Sequence, residues 1–217
     1  MSEPEKAPIS TDYLFRADED WFSHNLVGLE PLFQTFRPQR ILEIGSYQGR
    51  STCYFIEKAM QFHQNMEIYC IDTWQGGAEH IGRHDMNEAE MLFNHNMTVA
   101  AARFPSAQIQ KIKGLSHDML IQLLAQGKQG YFDFVYVDGS HEAPDVLLDA
   151  LLAHKLCKIS GIIAFDDYLW SPKPPTEEDH YLLVKPAVDH YVNTFQRKVH
   201  VLQKLPSYQL YVQKLAD

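Results

Sequence analysis

Two hydrophobic periods alternate along this chain. Short, nearly continuous apolar runs, such as Ile68-Tyr69-Cys70-Ile71 and Phe132–Val137, suit strands buried on both faces. Between them, apolar residues recur at every third or fourth position, as on a helix with one buried side. In chain order the pattern predicts a leading helix over 18–36, a strand over 40–45, a helix over 50–63 and a strand over 67–72. A helix over 88–103, a strand over 108–112, a helix over 117–126 and a strand over 132–138 follow. The last units are a helix over 143–157, a strand over 161–165, a helix over 183–196 and two β-prone runs, 199–202 and 208–212. Their short connection through Pro206-Ser207 implies antiparallel pairing. Pro31 lies inside the leading helical pattern and predicts a kink or two shorter helices. Ser116 is placed as the N-cap of the helix over 117–126.

This alternation argues for an α/β fold: a Rossmann-like, doubly wound and mostly parallel sheet closed by an antiparallel hairpin. Residues 1–12 read as a disordered tail, 13–37 as a helical cover, and 38–217 as one α/β domain. Ligands in such sheets bind beyond the carboxyl ends of the strands. Those ends are Glu43–Gly45, Asp72, Asp138 and Asp166–Asp167, acidic in every case.

The turn after the first strand carries the clearest chemistry. Gly45 and Gly49 permit a sharp turn and close approach of a ligand. Ser51 and Thr52 open the next helix, whose N-terminal amides favour an anionic group. Glu43, just before the turn, favours a cation. Amides for a carboxylate beside an acid for a cation suit an amino-acid-like ligand. Asp72, at the end of the next strand, is placed to accept ribose hydroxyls. The turn is G-x-x-x-G rather than G-x-G-x-x-G, which disfavours NAD.

Composition narrows the setting. The 217 residues carry a formal net charge of −9, which argues against nucleic acid as a bulk partner. No apolar run reaches the ~20 residues of a membrane span. The N-terminus has no apolar leader segment. Cys53, Cys70 and Cys157 are scattered, read as buried free thiols, and imply a reducing, cytoplasmic setting. A homo-oligomer is left open.

Asp138, Asp166 and Asp167 form a second constellation, on adjacent strand ends. Three converging carboxylates repel one another; a hard divalent ion such as Mg²⁺ would relieve this, or each acid caps a local turn and water fills the crevice. His141, three residues after Asp138, is a general base toward a substrate hydroxyl, a residue that orients the groups around it, or a polar residue of the surface. His80, His84 and His95 read as solvated. Trp74 either walls a base or packs in the core. Ser116 and His117 either border an adenine or cap a helix. Tyr168 and Trp170 line a substrate pocket or pack the 171–180 loop.

The stretches ILEIGSYQGRST, IYCIDTWQGG and FDFVYVDGSHEAPDVLLDALLAHKLCKISGIIAFDDYLW together resemble class I S-adenosylmethionine (SAM)-dependent methyltransferases. They most resemble the group of macrocin-type sugar O-methyltransferases and cephalosporin-hydroxylase-like proteins. The resemblance implies a seven-stranded sheet ending in a hairpin, SAM as cofactor and a small-molecule acceptor. It assigns Glu43, Gly45, Ser46, Tyr47, Gly49 and Ser51 to the methionine end. Asp72 falls to the ribose, with Thr73 and Trp74 beside it, and Gly114 and Ser116 to the adenine. Asp138 borders the cofactor, and Asp138, Asp166 and Asp167 match metal carboxylates of the metal-dependent O-methyltransferases. Catechol-type relatives carry Asp-Asn where this chain has Asp166-Asp167, and several carry a lysine after the position of Asp138. Here His141 is the candidate for the base role, with Asp138 beside it.

Overall fold

The computed structural model describes residues 11–16, 20–77, 84–206 and 208–217. Seven strands form one sheet in the order β3-β2-β1-β4-β5-β7-β6. They are β1 (Arg40–Ile44), β2 (Met66–Asp72), β3 (Ala107–Lys113), β4 (Phe132–Val137), β5 (Cys157–Phe165), β6 (Val199–Val201) and β7 (Leu210–Lys214). The first five pair in parallel, and β7 runs antiparallel to both β5 and β6. The order reverses between β1 and β4, so the crevice for a ligand opens where the chain turns off each of them.

Among the described residues, six α-helices cover the sheet: α1 (Leu26–Phe36), α2 (Arg50–Phe62), α3 (Met86–Arg103), α4 (Ser116–Ala125), α5 (Ala143–Leu156) and α6 (Val184–Thr194). One core, with Leu29, Phe33, Phe55, Phe93 and Phe134, packs α1, α2 and α3 on one face. The other, with Leu120, Val135, Val146, Val188 and Phe165, packs α4, α5 and α6 on the opposite face. β4 is buried at all of its positions, as its unbroken apolar run requires. None of the described helices is long and apolar enough to cross a membrane.

Several local expectations change. Pro31 lies inside an uninterrupted α1; the second element is a short 3₁₀ turn, Ser23–Asn25, ahead of that helix. Asp20 accepts from the Ser23 amide at 3.0 Å and its hydroxyl at 2.6 Å, which sets this turn. Ser116 is the first helical residue of α4 and not its cap; Leu115 holds the cap position. Strand β5 begins at Cys157 and shifts register against Phe132 and Phe134. Residues 1–10 of the expected tail lie outside the described residues, but Thr11 and Asp12 are tied to Arg103. The three cysteines are free and buried.

A row of polar groups crosses the first core beneath the crevice. Register places Cys70, Glu43 and Tyr136 side by side, continuing to Ala164 and Tyr211. Tyr211 donates to Gln209, and Gln209 donates to the Tyr136 hydroxyl at 2.9 Å. The α1 residue Gly28 makes room for this row: a Cβ there would lie 2.6 Å from the Tyr211 hydroxyl. Gly28→Ala is expected to destabilise the fold by about 1–3 kcal/mol through overpacking. Denaturant melts should show a smaller penalty in a Tyr211→Phe background, where the obstructing oxygen is gone.

Candidate functional site

The crevice is built on the turn between β1 and α2. Gly45 leaves β1 with φ of 87°, a conformation open to glycine and strained for other residues. A Cβ at this position would stand 1.8 Å from the Asp138 carbonyl oxygen. That closeness joins the turn to the end of β4, where the Asp138 amide donates to the Ile44 carbonyl at 2.8 Å. Gly49, with φ of 78°, holds the cap position of α2. The α2 amides therefore open toward the turn.

Two acids brace the turn from below and from the side. Glu43 is fully buried, and its Oε2 accepts the hydroxyls of Ser46 and Thr52. Burial pushes its carboxyl above the usual range. It does not face the cleft to take a ligand's cation as expected; it holds the turn in place. Asp72 Oδ2 accepts the amides of Ser46 at 3.0 Å and Tyr47 at 2.8 Å, and Oδ1 accepts that of Trp74 at 2.7 Å. Oδ2 has thus used both lone pairs, whereas Oδ1 retains one.

Above the turn lies an open cleft with about 490 Å³ of empty space. The structure gathers Gly45, Ser46, Tyr47, Ser51, Asp138 and Asp166 in its lining. Trp21, Phe22, Gln48 and Arg50 complete the lining. Trp21 stacks on Tyr47 with ring centres 5.5 Å apart. Glu43, Gly49, Asp72, Thr73, Trp74, Gly114 and Ser116 are not in this lining. Trp74 is settled as a core residue: it is buried, packs on Phe93, and donates from Nε1 to the Tyr47 carbonyl at 2.8 Å.

The acidic strand ends do converge. Burial, followed by the charges of Asp166 and Asp167, holds the Asp138 carboxyl well above its ordinary range. Burial and Asp167 push Asp166 up to about 6. Protein donors take up much of this repulsion. Asp166 Oδ2 accepts from Asn25 Nδ2 at 2.9 Å and from the Tyr136 hydroxyl, and Oδ1 accepts the Asp167 amide at 2.8 Å. One oxygen of Asp167 meets His141 Nε2 at 2.9 Å, and the other accepts the Tyr208 hydroxyl at 2.9 Å. His141 is also stacked on Trp170, with ring centres 4.2 Å apart. Among the described residues, no group of three or more His, Cys, Asp and Glu is arranged to hold a metal ion. The three carboxylates are oxygen donors of the right type for Mg²⁺, and the donors on them leave a lone pair on Asp166 Oδ1 and on each Asp167 oxygen.

Residues 42–168 match the protein family described as a methyltransferase domain. The chain belongs to this methyltransferase family. It is 28% identical over 142 residues to a caffeoyl-CoA O-methyltransferase of Populus kitakamiensis, covering 65% of this chain and 52% of that protein. It is 31% identical over 142 residues to the tapetum-specific methyltransferase 1 of Arabidopsis thaliana, with the same shares covered. The chain thus spans about half the length of these curated relatives. An O-methyltransferase from Bacillus cereus, solved with S-adenosylhomocysteine (SAH), superposes with a TM-score of 0.62 at 17% identity, over 90% of this chain and 83% of that one. The O-methyltransferase TomG from Streptomyces achromogenes, solved with SAM, gives 0.60 at 17%, over 87% and 78%. These similarities confirm the Rossmann-like methyltransferase fold. The family match does not separate the macrocin-type group from other members.

Four residues at the methyltransferase cleft escaped the sequence reading: Trp21, Phe22, Gln48 and Arg50. Gln48 and Arg50 lie within the glycine motif itself. Asn25, just behind the cleft, is 3% exposed and was also missed. It occupies a helically spaced apolar stripe with Phe22, Leu29 and Leu32, so a polar residue on a buried face was its signal. His80 lies outside the described residues. His95 Nε2 sits 3.0 Å from the Asp12 carbonyl, away from the cleft.

Proposed function

We propose that this chain is a SAM-dependent O-methyltransferase acting on a small hydroxylated molecule. One observation carries the reading: a single cleft is lined both by the glycine turn and by Asp138 and Asp166. The missing Cβ of Gly45 lets the Asp138 backbone pack against the turn, which brings the glycine turn and the end of β4 to one cleft. Relatives that carry O-methyltransferase names, and structural neighbours solved with SAM or SAH, support it.

SAM supplies an electrophilic methyl group on a sulfonium. The chain's residues do the rest. The α2 amides and Ser51 receive the carboxylate of the methionine end. The free lone pair on Asp72 Oδ1 accepts a ribose hydroxyl. Asp138 lines the cleft and takes the proton from the acceptor hydroxyl; burial, followed by the charges of Asp166 and Asp167, holds its carboxyl above the ordinary range. His141, clamped by Asp167 and Trp170, walls the side of Asp138 away from the glycine turn. These steps use the chain's own groups, and none is routed through a metal ion.

Radiolabelled SAM and a panel of phenols, catechols and sugars test this. SAH is expected to raise the melting temperature, and at least one acceptor class to be methylated, with transfer persisting in excess EDTA. Asp138→Asn should lower transfer at least about 100-fold while SAH binding stays. No thermal shift at saturating SAH would overturn the cofactor reading. Loss in EDTA with recovery in Mg²⁺ would overturn the metal-free route and restore the ion to Asp138, Asp166 and Asp167.

A further inference from the structure

Asn96 is a polar residue on the buried side of α3 and is 0% exposed. A leucine there would fill the same helix face without desolvating an amide, so hydrogen bonds have to account for the asparagine. Its side chain is fully paired, with none of the bonds made to α3 itself. Oδ1 accepts the Leu14 amide at 2.8 Å, and Nδ2 donates to the carbonyls of Leu14 and Gln48, each at 2.8 Å. Asn96 therefore ties an N-terminal segment to the glycine turn. The next two residues of that segment reach the same stretch. The Phe15 ring lies 4.3 Å from the Arg50 guanidinium, and the Arg16 amide donates to Gln48 Oε1 at 2.9 Å. Leu14, Phe15, Arg16 and Asn96 are not in the lining of the cleft.

The turn needs support of this kind. Gly45, Tyr47 and Gly49 have φ of 87°, 45° and 78°, all left-handed, and Tyr47 carries a Cβ. Such backbone persists only where its surroundings fix it. Asp72 and Trp74 hold the first half of the turn, through the amides of Ser46 and Tyr47 and the Tyr47 carbonyl. Asn96 holds the second half. The peptide between Gln48 and Gly49 is pinned at both ends: the Gly49 amide donates to the Ser46 carbonyl at 2.6 Å, and the Gln48 carbonyl accepts from Asn96. Gly49 is the cap of α2, so this peptide sets the direction in which the α2 amides open.

We propose that Asn96 and the backbone of residues 14–16 form a latch that positions the glycine turn for the amino-acid end of SAM. The inference rests on the cofactor reading given above. It gives the N-terminal segment a part in holding a ligand that it does not touch. Asn96 is a positioning residue: it holds the turn, and the turn meets the ligand. Without the latch, the peptide between Gln48 and Gly49 can rotate and misdirect the α2 amides, while the side of the cleft at Asp72 keeps its own bonds.

Equilibrium binding of SAH and of 5′-methylthioadenosine, which lacks the amino-acid end, tests the proposal. Asn96→Leu should weaken SAH at least about tenfold and methylthioadenosine less than about threefold. Leu14→Pro removes the amide that donates to Asn96, at a side chain that is 43% exposed, and should weaken SAH alone by about threefold or more. It carries the test if Asn96→Leu does not fold. A folded variant of either kind that keeps full SAH affinity overturns the proposal, and so does one that loses both ligands by the same factor. Where methylthioadenosine binds too weakly to compare, Leu14→Pro is read on SAH against the unliganded melting temperature, which should fall by less than about 4 °C. Unchanged SAH affinity, or a larger fall in melting temperature, then overturns the proposal. Binding of neither ligand by the unaltered chain overturns the cofactor reading itself, a result distinct from loss of the split.

Discussion

Gly45→Ala is expected to abolish SAH binding and to destabilise the fold by more than about 3 kcal/mol. Two independent penalties meet at this position. The added Cβ stands 1.8 Å from the Asp138 carbonyl oxygen, a backbone atom that cannot swing aside. Alanine also resists the φ of 87° that the turn requires. The clash can be relieved only by separating β1 from β4, which dismantles the wall that carries Asp138. Thermal melts with and without SAH read both effects. A stable Gly45→Ala chain with normal SAH affinity would show that the turn is not part of the cofactor site.

The second large effect is a pH dependence of stability seated in His154, far from the cleft. This residue is fully buried on α5, with Nδ1 2.9 Å from the Tyr191 hydroxyl. Burial, followed by the charge of Lys214, lowers its pKa to about 4. The unfolded chain binds a proton near pH 6.5 where the folded chain does not, so acid favours unfolding. The stabilisation is fully present above pH 6.5 and is lost as pH falls from there toward 4, by about 3 kcal/mol at most. Asp138, Asp149 and Asp166 are raised instead, and their contribution falls as pH rises. A comparison with His154→Gln isolates the histidine, because these acids remain in both chains. The difference in stability between the two chains should shrink between pH 7 and pH 5. A pH-independent difference would refute a neutral, buried His154.

Much of the fold was legible because its signals are local. The apolar runs at 68–71 and 132–137 are strands buried on both faces, and nothing in their surroundings contradicts that pattern. The hairpin of β6 and β7 followed from a short connection. Pro31 misled because its missing amide hydrogen and ring disturb a helix locally, yet the packing of Leu29, Leu32 and Phe33 keeps α1 continuous. Ser116 misled by one residue, the usual uncertainty of a helix end.

The site was legible in part. Gly45, Ser46, Tyr47, Ser51, Asp138 and Asp166 share the cleft as their strand-end positions required. The roles of Glu43 and Trp74 were not, because alternation along a strand or turn does not reveal whether a side chain ends in solvent or under its own loop. Asn25 reaches Asp166 across 141 positions of sequence. No periodicity encodes such a pair; docking of the leading helix on the sheet creates it.

By itself, then, the sequence determined the strand and helix alternation, the glycine turn and the row of acids at the strand ends. These depend on residue-to-residue spacing and on steric limits that act over a few positions. Only the tertiary structure decided which acids face the cleft and which brace it. It also brought Asn25, Tyr136, Tyr208 and His141 to the carboxylates of Asp166 and Asp167. Those outcomes follow from hydrogen-bond partners supplied by distant segments, and a carboxylate's function depends on which partners reach it first.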